Sequence, residues 1–296
     1  MNKNICSHTW EEIHLDRLKN NINNISGHLG GDTPIMAVIK ADAYGHGAVE
    51  VAKAAQKCGV NRFAVACIDE AKQLRRHGIK SPILILGATP LEAVPDLFRY
   101  DITPTVFEKT LADAISEYSK TAKKSLKIHI KIDTGMGRIG FCCYEQGDDR
   151  YIDEIAEICR MDGINAEGIF THFSCADMEN GTAETKKQFE NFIYITNELK
   201  NRGVSIPIRH CANSAAIAMY PEMKLDMVRA GIILYGEYPS EFVKANTTLK
   251  IEPVKEMKST VSMIKEVDKG KGISYGQNYH SKNTGECLAT VCAGYA

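Results

Sequence analysis

The sequence has 296 residues, of which 44% are hydrophobic and 25% are charged, and its formal net charge is -1. These proportions are typical of a globular protein and exclude a disordered or collagen-like chain. The 36 Lys and Arg residues are balanced by 37 Asp and Glu residues without a long basic run, which argues against a nucleic-acid-binding protein.

Short apolar runs of strand length alternate with longer helical patterns as far as Tyr235. Strands are predicted at 34–40, 62–68, 82–87, 102–107, 127–133, 168–173, 208–213 and 227–232. Helices are predicted between them at 48–58, 69–77, 91–100, 108–122, 151–161, 183–202 and 215–219. A glycine directly after a helical pattern, as at Gly59, Gly78 and Gly203, is typical of a helix C-terminus.

Eight strand-and-helix units predict a parallel sheet that is buried on both faces, since the strands are almost continuously apolar. Eight such units close most naturally into a (β/α)8 barrel of the TIM type. An open doubly wound sheet is the alternative. That fold usually has about six strands, and no Gly-x-Gly-x-x-Gly motif follows the first strand here, so an α/β barrel is predicted.

After Tyr235 the pattern changes, because strands are predicted at 247–255, 260–267 and 286–292 without helices between them. These strands predict a second, mostly β domain. Residues 288–296 are largely apolar, and the predicted strands are too few to bury a face of their own. We therefore expect the second domain to be incomplete and the sequence to be truncated at its C-terminus.

Ten cysteines are scattered from Cys6 to Cys292, and none of them forms a Cys-x-x-Cys motif. Several lie in apolar runs, where a reduced cysteine acts as a small hydrophobic residue, so we predict a reducing compartment. No segment resembles a signal peptide or approaches the roughly 18 apolar residues of a membrane span. A cytoplasmic protein without membrane association is expected.

Polar side chains follow several predicted strands, where a barrel enzyme collects its reactive residues. Lys40 ends the first strand, and a lysine there is costly unless it is paired or used covalently; a lysine that has just emerged into solvent is the alternative. Ser214 and the amides of Gly231 and Ile232 follow strands seven and eight, where barrels commonly hold a phosphate. With Arg229 beside them, these groups suggest pyridoxal phosphate held as a Schiff base.

The run at 37–47, Ala-Val-Ile-Lys-Ala-Asp-Ala-Tyr-Gly-His-Gly, resembles the cofactor-attachment signature of alanine racemases, which are fold-type III pyridoxal phosphate enzymes. Further segments resemble other motifs of that family in the same order, at 131–140, 171–173, 212–214, 228–232 and 274–276. The resemblance extends from Thr9 to Ala296. It implies a barrel domain at 14–238 and a β-rich domain at 239–296, to which an N-terminal strand at 8–13 also belongs.

The resemblance also implies two catalytic residues. Lys40 would carry pyridoxal 5'-phosphate and act as one acid and base, and Tyr275 would act on the opposite face of the substrate from the partner subunit of a homodimer. Without the family match, a packed strand tyrosine is the alternative for Tyr275. Arg229 would donate to the pyridine nitrogen and keep it unprotonated, which disfavours transamination. His172 would bridge Arg229 and Tyr275, although an isolated strand histidine is more often a core residue.

The remaining implied contacts concern the cofactor and the substrate. Arg138 would reach the cofactor's phenolic oxygen and the substrate carboxylate. Lys131 matches a lysine that is carbamylated in many members, and an ordinary ion-paired lysine is the alternative. Tyr44, Ser214, Gly231 and Ile232 would hold the phosphate, Leu86 would lie against the ring, and Asn213 matches the asparagine of its segment. No metal site is expected, because no His-Glu-x-x-His motif is present and Cys142 and Cys143 are adjacent.

These features predict an isomerase that interconverts L- and D-alanine and supplies D-alanine for peptidoglycan. A serine or serine/alanine racemase of the vancomycin-resistance type shares the same motifs. A single-barrel pyridoxal phosphate carrier would keep the lysine but lack the second domain, and the Ser274-Tyr275-Gly276 segment argues against it. Fold-type III decarboxylases are disfavoured, because they place an acidic residue where Arg229 stands.

Overall fold

The computed structural model describes residues 8–147 and 149–294. Their contacts form two compact units, a larger one from Leu15 to Val254 and a smaller one made of the segments before Leu15 and after Val254. The domain boundary expected after residue 238 falls inside the larger unit. Cys6 and the last two residues of the apolar stretch 288–296, Tyr295 and Ala296, lie outside the described residues.

The strands are short, and those of the larger unit are buried along all or part of their length. In chain order they are β1 Thr9–Ile13, β2 Ile35–Val38, β3 Arg62–Val65, β4 Ile83–Ile85, β5 Thr105–Val106, β6 Leu126–Asp133, β7 Phe141–Cys142, β8 Ile164–Phe170, β9 Ile208–His210, β10 Val228–Ala230, β11 Lys255–Ser259, β12 Val261–Val267, β13 Gly272–Ile273, β14 Tyr279–His280 and β15 Glu286–Val291. All eight predicted barrel strands are confirmed. Most are shorter than predicted.

The helices of the larger unit follow the strands in alternation. They are α1 Leu15–His28, α2 Lys40–Gly45, α3 Ala48–Gln56, α4 Ile68–Arg76, α5 Val94–Tyr100, α6 Lys109–Ala122, α7 Ile152–Arg160, α8 Thr182–Asn201, α9 Ser214–Met219 and α10 Glu241–Asn246. The seven predicted helices are confirmed, whereas α1, α2 and α10 were not predicted. No helix among the described residues combines the length and apolar character needed to cross a membrane.

Eight parallel strands form the predicted (β/α)8 barrel. One run of paired strands is β10-β2-β3-β4 and the other is β5-β6-β8-β9. Thr103 joins the runs on one side, since its N–H donates to Ile83 O at 2.9 Å and its carbonyl accepts Ile85 N–H at 2.9 Å. On the other side the Arg229 N–H donates to Ala212 O at 3.0 Å. The carboxyl ends of all eight strands therefore meet at one rim.

Helix α1 packs on the barrel through one apolar stripe. Leu18, Ile22 and Ile25 recur at helical spacing and are at most 1% exposed. Asn21 lies beside this stripe and is fully buried. Its polar side chain tolerates burial because it donates to Glu252 O at 2.9 Å and accepts a hydrogen bond from the Glu252 N–H at 2.9 Å. This side chain satisfies backbone groups that would otherwise need a strand partner.

The strand predicted at 247–255 is wrong for most of its length, since the pairing begins only at Lys255. Residues 247–254 instead run along the larger unit with Leu249 and Val254 buried. The apolar residues that suggested a strand are explained by this burial, and Asn21 replaces the ladder at Glu252.

The smaller unit is built from three antiparallel strand pairs, β1 with β11, β12 with β15 and β13 with β14. Strands predicted at 260–267 and 286–292 are confirmed as β12 and β15. In the first pair Glu12 lies directly opposite Glu256, and the Lys258 ammonium contacts both carboxylates at 2.6 and 3.6 Å. The cation offsets the repulsion between two facing acids.

Candidate active site

A cavity of about 530 Å³ opens at the carboxyl ends of the barrel strands. Its size is ordinary for a site that binds a small molecule. Every barrel residue predicted for the site lines it, namely Lys40, Tyr44, Leu86, Lys131, Arg138, His172, Asn213, Ser214, Arg229, Gly231 and Ile232. Tyr275 belongs to the smaller unit, where it begins a short 3-10 turn with its side chain 87% exposed.

Lys40 follows β2 and begins a turn that winds with the opposite hand to an ordinary helix. Four consecutive residues, Ala41 to Tyr44, have φ between 50° and 56° and ψ between 36° and 52°. This left-handed conformation costs L-residues about 1–2 kcal/mol each and is rarely adopted by more than one residue in succession. Backbone strain of this kind concentrates at functional sites. The strained turn therefore suggests that the position of Lys40 is functionally important.

Side chains from neighbouring elements hold this turn. Glu70 of α4 accepts the Ala41 N–H at 2.7 Å with one oxygen and the Ala66 N–H at 2.7 Å with the other. Asp42 accepts the Ala48 N–H at 2.8 Å and so caps the start of α3. The left-handed turn is therefore fixed to β3, α3 and α4 by charged hydrogen bonds, which are stronger than neutral ones.

Arg229 lies in β10 with 3% of its surface exposed. Its terminal nitrogens donate to His210 O and Cys211 O at 3.0 Å each and to Thr171 O at 2.8 Å. They also lie 3.0 Å from His210 Nδ1 and 3.3 Å from His172 Nδ1. Burial lowers the pKa of this guanidinium to about 10, which still leaves it charged at neutral pH.

Both histidines that contact Arg229 are neutral. Burial lowers the pKa of His172 well below its usual value, and the nearby Arg229 lowers it further. Burial and the same arginine act in the same way on the pKa of His210. A neutral imidazole offers one bare nitrogen, so each ring accepts from the guanidinium through Nδ1 and keeps its proton on Nε2.

Lys131 of β6 is buried among the same groups. Its ammonium nitrogen has no hydrogen-bond partner among the described residues, and it lies 4.8 Å from the centre of the Phe170 ring. Burial lowers the pKa of Lys131 well below its usual value, and Arg229 lowers it further. The alternative considered from sequence, an ion-paired lysine, is therefore not seen among the described residues.

The loop that carries Arg138 is held by one carboxylate. Asp133 Oδ1 accepts the backbone N–H groups of Gly135, Met136 and Gly137 at 3.0, 2.8 and 3.1 Å. This arrangement leaves the Arg138 side chain exposed at the cavity edge. An arginine fork in that position is suited to a carboxylate.

The far end of the cavity is shaped by the chain around Gly231. Ser214 Oγ accepts the Gly231 N–H at 3.1 Å, and a Cβ at position 231 would lie 3.0 Å from Tyr44 Oη and 3.5 Å from Ser214 Oγ. The space between a phenol, a hydroxyl and a glycine backbone therefore exists only because residue 231 lacks a side chain. Asn213, predicted as a cofactor contact, caps α9 by accepting the Ala216 N–H at 3.0 Å.

The charges around the cavity are strongly unequal. Four basic side chains line it, and Asp177 is the acidic residue among its lining. An anionic ligand is the species that such a site attracts, and the Lys40 amine is available for covalent chemistry with it.

Sequence reasoning missed the residues that hold the site rather than face the ligand. In the sequence, Glu70 and Asp133 are ordinary acids at a helix start and a strand end. Their roles depend on the backbone N–H groups that donate hydrogen bonds to them, and these come together only in the folded chain. Tyr235 was also missed; it donates to Val38 O at 2.9 Å and packs 5.0 Å from the Tyr44 ring. The only signal for Asp133 was its position directly before a glycine-rich loop.

One further group among the described residues has ligand atoms spaced as for a metal ion. Glu12, His14 and Glu256 of the smaller unit form it, with their ligand atoms within 4.8 Å of one another. Lys258 already forms ion pairs with both carboxylates. We assign no metal to this group.

Known proteins resemble the chain along almost its whole length. Residues 13–239 match the family described as Alanine racemase, N-terminal domain, and residues 254–296 match Alanine racemase, C-terminal domain. The alanine racemase of Desulforamulus reducens is 43% identical over 287 residues, which cover 97% of this chain and 76% of the relative. That of Clostridium tetani is 44% identical over 97% of this chain and 72% of its own. A solved alanine racemase of Clostridium difficile 630 superposes with a TM-score of 0.87 at 46% identity, covering 97% of this chain and 73% of that one.

Proposed function

This chain belongs to the alanine racemase family, and from that membership we propose that its barrel cavity holds pyridoxal 5'-phosphate through the residues described above. The chain is an amino-acid racemase that interconverts L- and D-alanine, and the family is known for the D-alanine of peptidoglycan.

The single observation that carries the cofactor assignment is the combination of Lys40 with three further basic side chains, Lys131, Arg138 and Arg229, around one cavity. The space kept open at Gly231, between Tyr44 Oη and Ser214 Oγ, fits a phosphate group. Lys40 would be the covalent attachment point, Leu86 would lie against the ring and Ile232 would add a backbone amide to the phosphate. The residues present therefore fit the cofactor.

When bound, pyridoxal phosphate withdraws electron density from the α-carbon of the amino acid and acidifies its proton. Lys40 Nζ removes or returns that proton on one face. Tyr275 Oη, supplied by the partner subunit, does so on the other face. Two acid-base groups on opposite faces are what inversion at the α-carbon requires.

Arg229 controls which reaction follows. Its guanidinium stays charged and can only donate, so it would keep the ring nitrogen of a bound cofactor free of a proton. Such a donor would keep the bound ring a weak sink for electrons and so favour return of the proton to the α-carbon. A decarboxylase or transaminase would need an acid at this position, so the buried arginine favours racemisation over these alternatives.

We assign a carbamate to Lys131. Its lowered pKa favours the neutral amine, whose nitrogen can bond to the carbon of CO2 and release a proton to water, giving an anion near Arg138 and Arg229. That anion would orient Arg138 toward the substrate carboxylate. Enzyme prepared with carbon-13 bicarbonate should give a carbamate signal that is missing from Lys131→Met; an identical signal from both proteins would exclude the modification at this lysine.

The central experiment replaces Lys40 with alanine and follows L-alanine by the decay of its optical rotation. We expect Lys40→Ala to lose both the visible cofactor band and the decay, whereas Lys53→Ala, which removes an exposed lysine that pairs with Glu50, should keep both. Full racemisation by Lys40→Ala would end the proposal. L-Serine assayed in parallel distinguishes an alanine racemase from the serine racemase considered from sequence.

The assembly and location of the enzyme follow from the same proposal. Members of the family act as dimers, and an exposed Tyr275 is consistent with a residue that serves a partner's site. We place the enzyme in the cytoplasm. The nine cysteines among the described residues are all unpaired, which supports a reducing compartment.

A further inference from the structure

A line of polar side chains leads from Arg229 away from the cavity into the barrel interior. Arg229 Nη1 lies 3.0 Å from His210 Nδ1, and His210 Nε2 lies 2.9 Å from His129 Nδ1. His129 Nε2 in turn lies 3.7 Å from Glu167 Oε2. Both imidazoles are at most 1% exposed, and neither they nor Glu167 line the cavity.

The carboxylate at the end of this line is held by cations. Glu167 accepts from Arg62 at 3.2 Å and from Lys127 at 2.8 Å. Arg62 begins β3 and Lys127 is the second residue of β6, so Glu167 is anchored near the amino ends of the barrel strands. The line therefore connects the cavity with the opposite half of the barrel.

The direction of every hydrogen bond in this line is fixed by its two ends. An arginine can only donate, so His210 Nδ1 must be bare and its proton must be on Nε2. His129 Nδ1 must then accept, which puts its proton on Nε2, toward the Glu167 carboxylate. Burial lowers the pKa of both histidines and so keeps each ring to one proton.

We propose that Glu167 and His129 are positioning residues of the racemase site, because they fix the tautomer of His210 and thereby the orientation of the Arg229 guanidinium. Both terminal nitrogens of Arg229 are occupied by the barrel, which leaves Nε as the nitrogen without a hydrogen bond among the described residues. If His210 turned its proton to Nδ1, two donors would face each other and the guanidinium would have to rotate.

Gly168 supports this assignment by its lack of a side chain. A Cβ at this position would lie 2.4 to 2.7 Å from three atoms of the His129 ring. The His129 ring therefore occupies the space that a side chain at position 168 would take. Gly168 does not adopt a left-handed backbone conformation, so conformational freedom does not explain the glycine. The close approach of the His129 ring does.

Histidine tautomers can be read directly from the nitrogen-15 shifts of the imidazoles in the cofactor-loaded protein. We expect His129 and His210 to carry their protons on Nε2 in the unmodified enzyme. A proton on Nδ1 of His210, or a doubly protonated ring, would overturn the proposal without any variant. This readout needs no turnover, so it is separate from a failure of the proposed function that underlies it.

The variant Glu167→Gln replaces a carboxylate, which can only accept, with an amide, which can also donate. The amide could therefore donate to His129 Nε2 and permit the reversed tautomers of both histidines. We expect mixed tautomers at His129 and His210 and a loss of about tenfold in kcat, the scale for lost supporting hydrogen bonds. Lys127→Met removes one ion pair of Glu167 but leaves the carboxylate, and it should retain the original tautomers and kcat. Equal losses in the two variants, or unchanged tautomers in Glu167→Gln, would contradict the proposal.

Gly168→Ala gives a second test that keeps every charge, should Glu167→Gln fail to fold. The added methyl group must displace the His129 ring, so the tautomers of both histidines and kcat should change as in Glu167→Gln. An alanine variant with the original imidazole shifts and full kcat would show that the line does not position Arg229.

Discussion

The backbone N–H of Ala41 donates to Glu70 Oε1 at 2.7 Å, which ties the first left-handed residue after Lys40 to the first turn of α4. The second oxygen of the same carboxylate accepts the Ala66 N–H at the end of β3. One side chain thus fixes the turn of the lysine relative to the neighbouring barrel strand.

Glu70→Gln should therefore loosen the attachment of Lys40. A neutral amide can accept only one of the two N–H groups, and we expect a loss of about 1–3 kcal/mol in the free energy of unfolding. We also expect a smaller visible cofactor band per subunit and a lower kcat. Asp69→Asn, which changes the adjacent exposed acid, should leave the cofactor band and kcat unchanged.

Gly231→Ala should fill the proposed phosphate site. The new methyl group would lie 3.0 Å from Tyr44 Oη, so we expect the affinity for pyridoxal phosphate to fall by about tenfold or more, equivalent to at least about 1.4 kcal/mol. Titration of the cofactor-free protein by its absorbance measures this constant. Gly27→Ala in α1 meets no atom within 4 Å and is the matched control. Equal affinities in the two variants would place the phosphate elsewhere.

Mixing two inactive chains tests whether Tyr275 acts in the partner's site. Lys40→Ala and Tyr275→Phe should each be inactive alone. In a randomly reassembled equal mixture, about a quarter of the wild-type activity should return, because half of the dimers are mixed and each has one intact site. If both residues served the site of their own chain, the mixture would stay inactive.

Glu167 should make stability depend on pH in the acidic range. The nearby His129, together with Lys127 and Arg62, lowers the pKa of this carboxyl below its usual value. Its contribution is therefore complete above the unfolded pKa of about 4.3 and is lost as the pH falls toward the lower folded pKa.

Urea unfolding of Glu167→Gln checks this sign. At neutral pH we expect a deficit of about 1.5–3 kcal/mol relative to the unmodified protein, and the deficit should shrink below about pH 4. Glu157→Gln removes an exposed ion pair with Lys109 and should cost at most about 1 kcal/mol at any pH. A deficit for Glu167→Gln that grows on acidification would refute the assignment.

The barrel could be predicted from sequence because its strands are buried on both faces. Runs such as Ile83–Ile85 are apolar throughout and stand out against the helical periodicity around them. Helix α1 was missed although Leu18, Ile22 and Ile25 have the correct spacing, because the asparagines between them have low helix propensity. Asn21 is among these, and its buried hydrogen bonds to Glu252 exist only in the folded chain.

The residues that line the site were predictable because strand ends and family motifs both pointed to them. The left-handed turn after Lys40 was not, since Ala41 and Ala43 are strong formers of right-handed helix and only tertiary hydrogen bonds reverse the preference. The same limit applies to Glu70 and Glu167. Nothing in their local sequence shows which backbone groups or imidazoles they meet.

The mirror-image geometry at Ala41 has a consequence for chemical synthesis of the protein. A D-residue prefers the conformation that this L-alanine is forced to adopt, and the Ala41 methyl group is exposed to solvent. A semisynthetic chain with D-alanine at this one position should therefore fold with less strain than the natural one. The segment that carries Lys40 would then contain the stereoisomer that the enzyme produces.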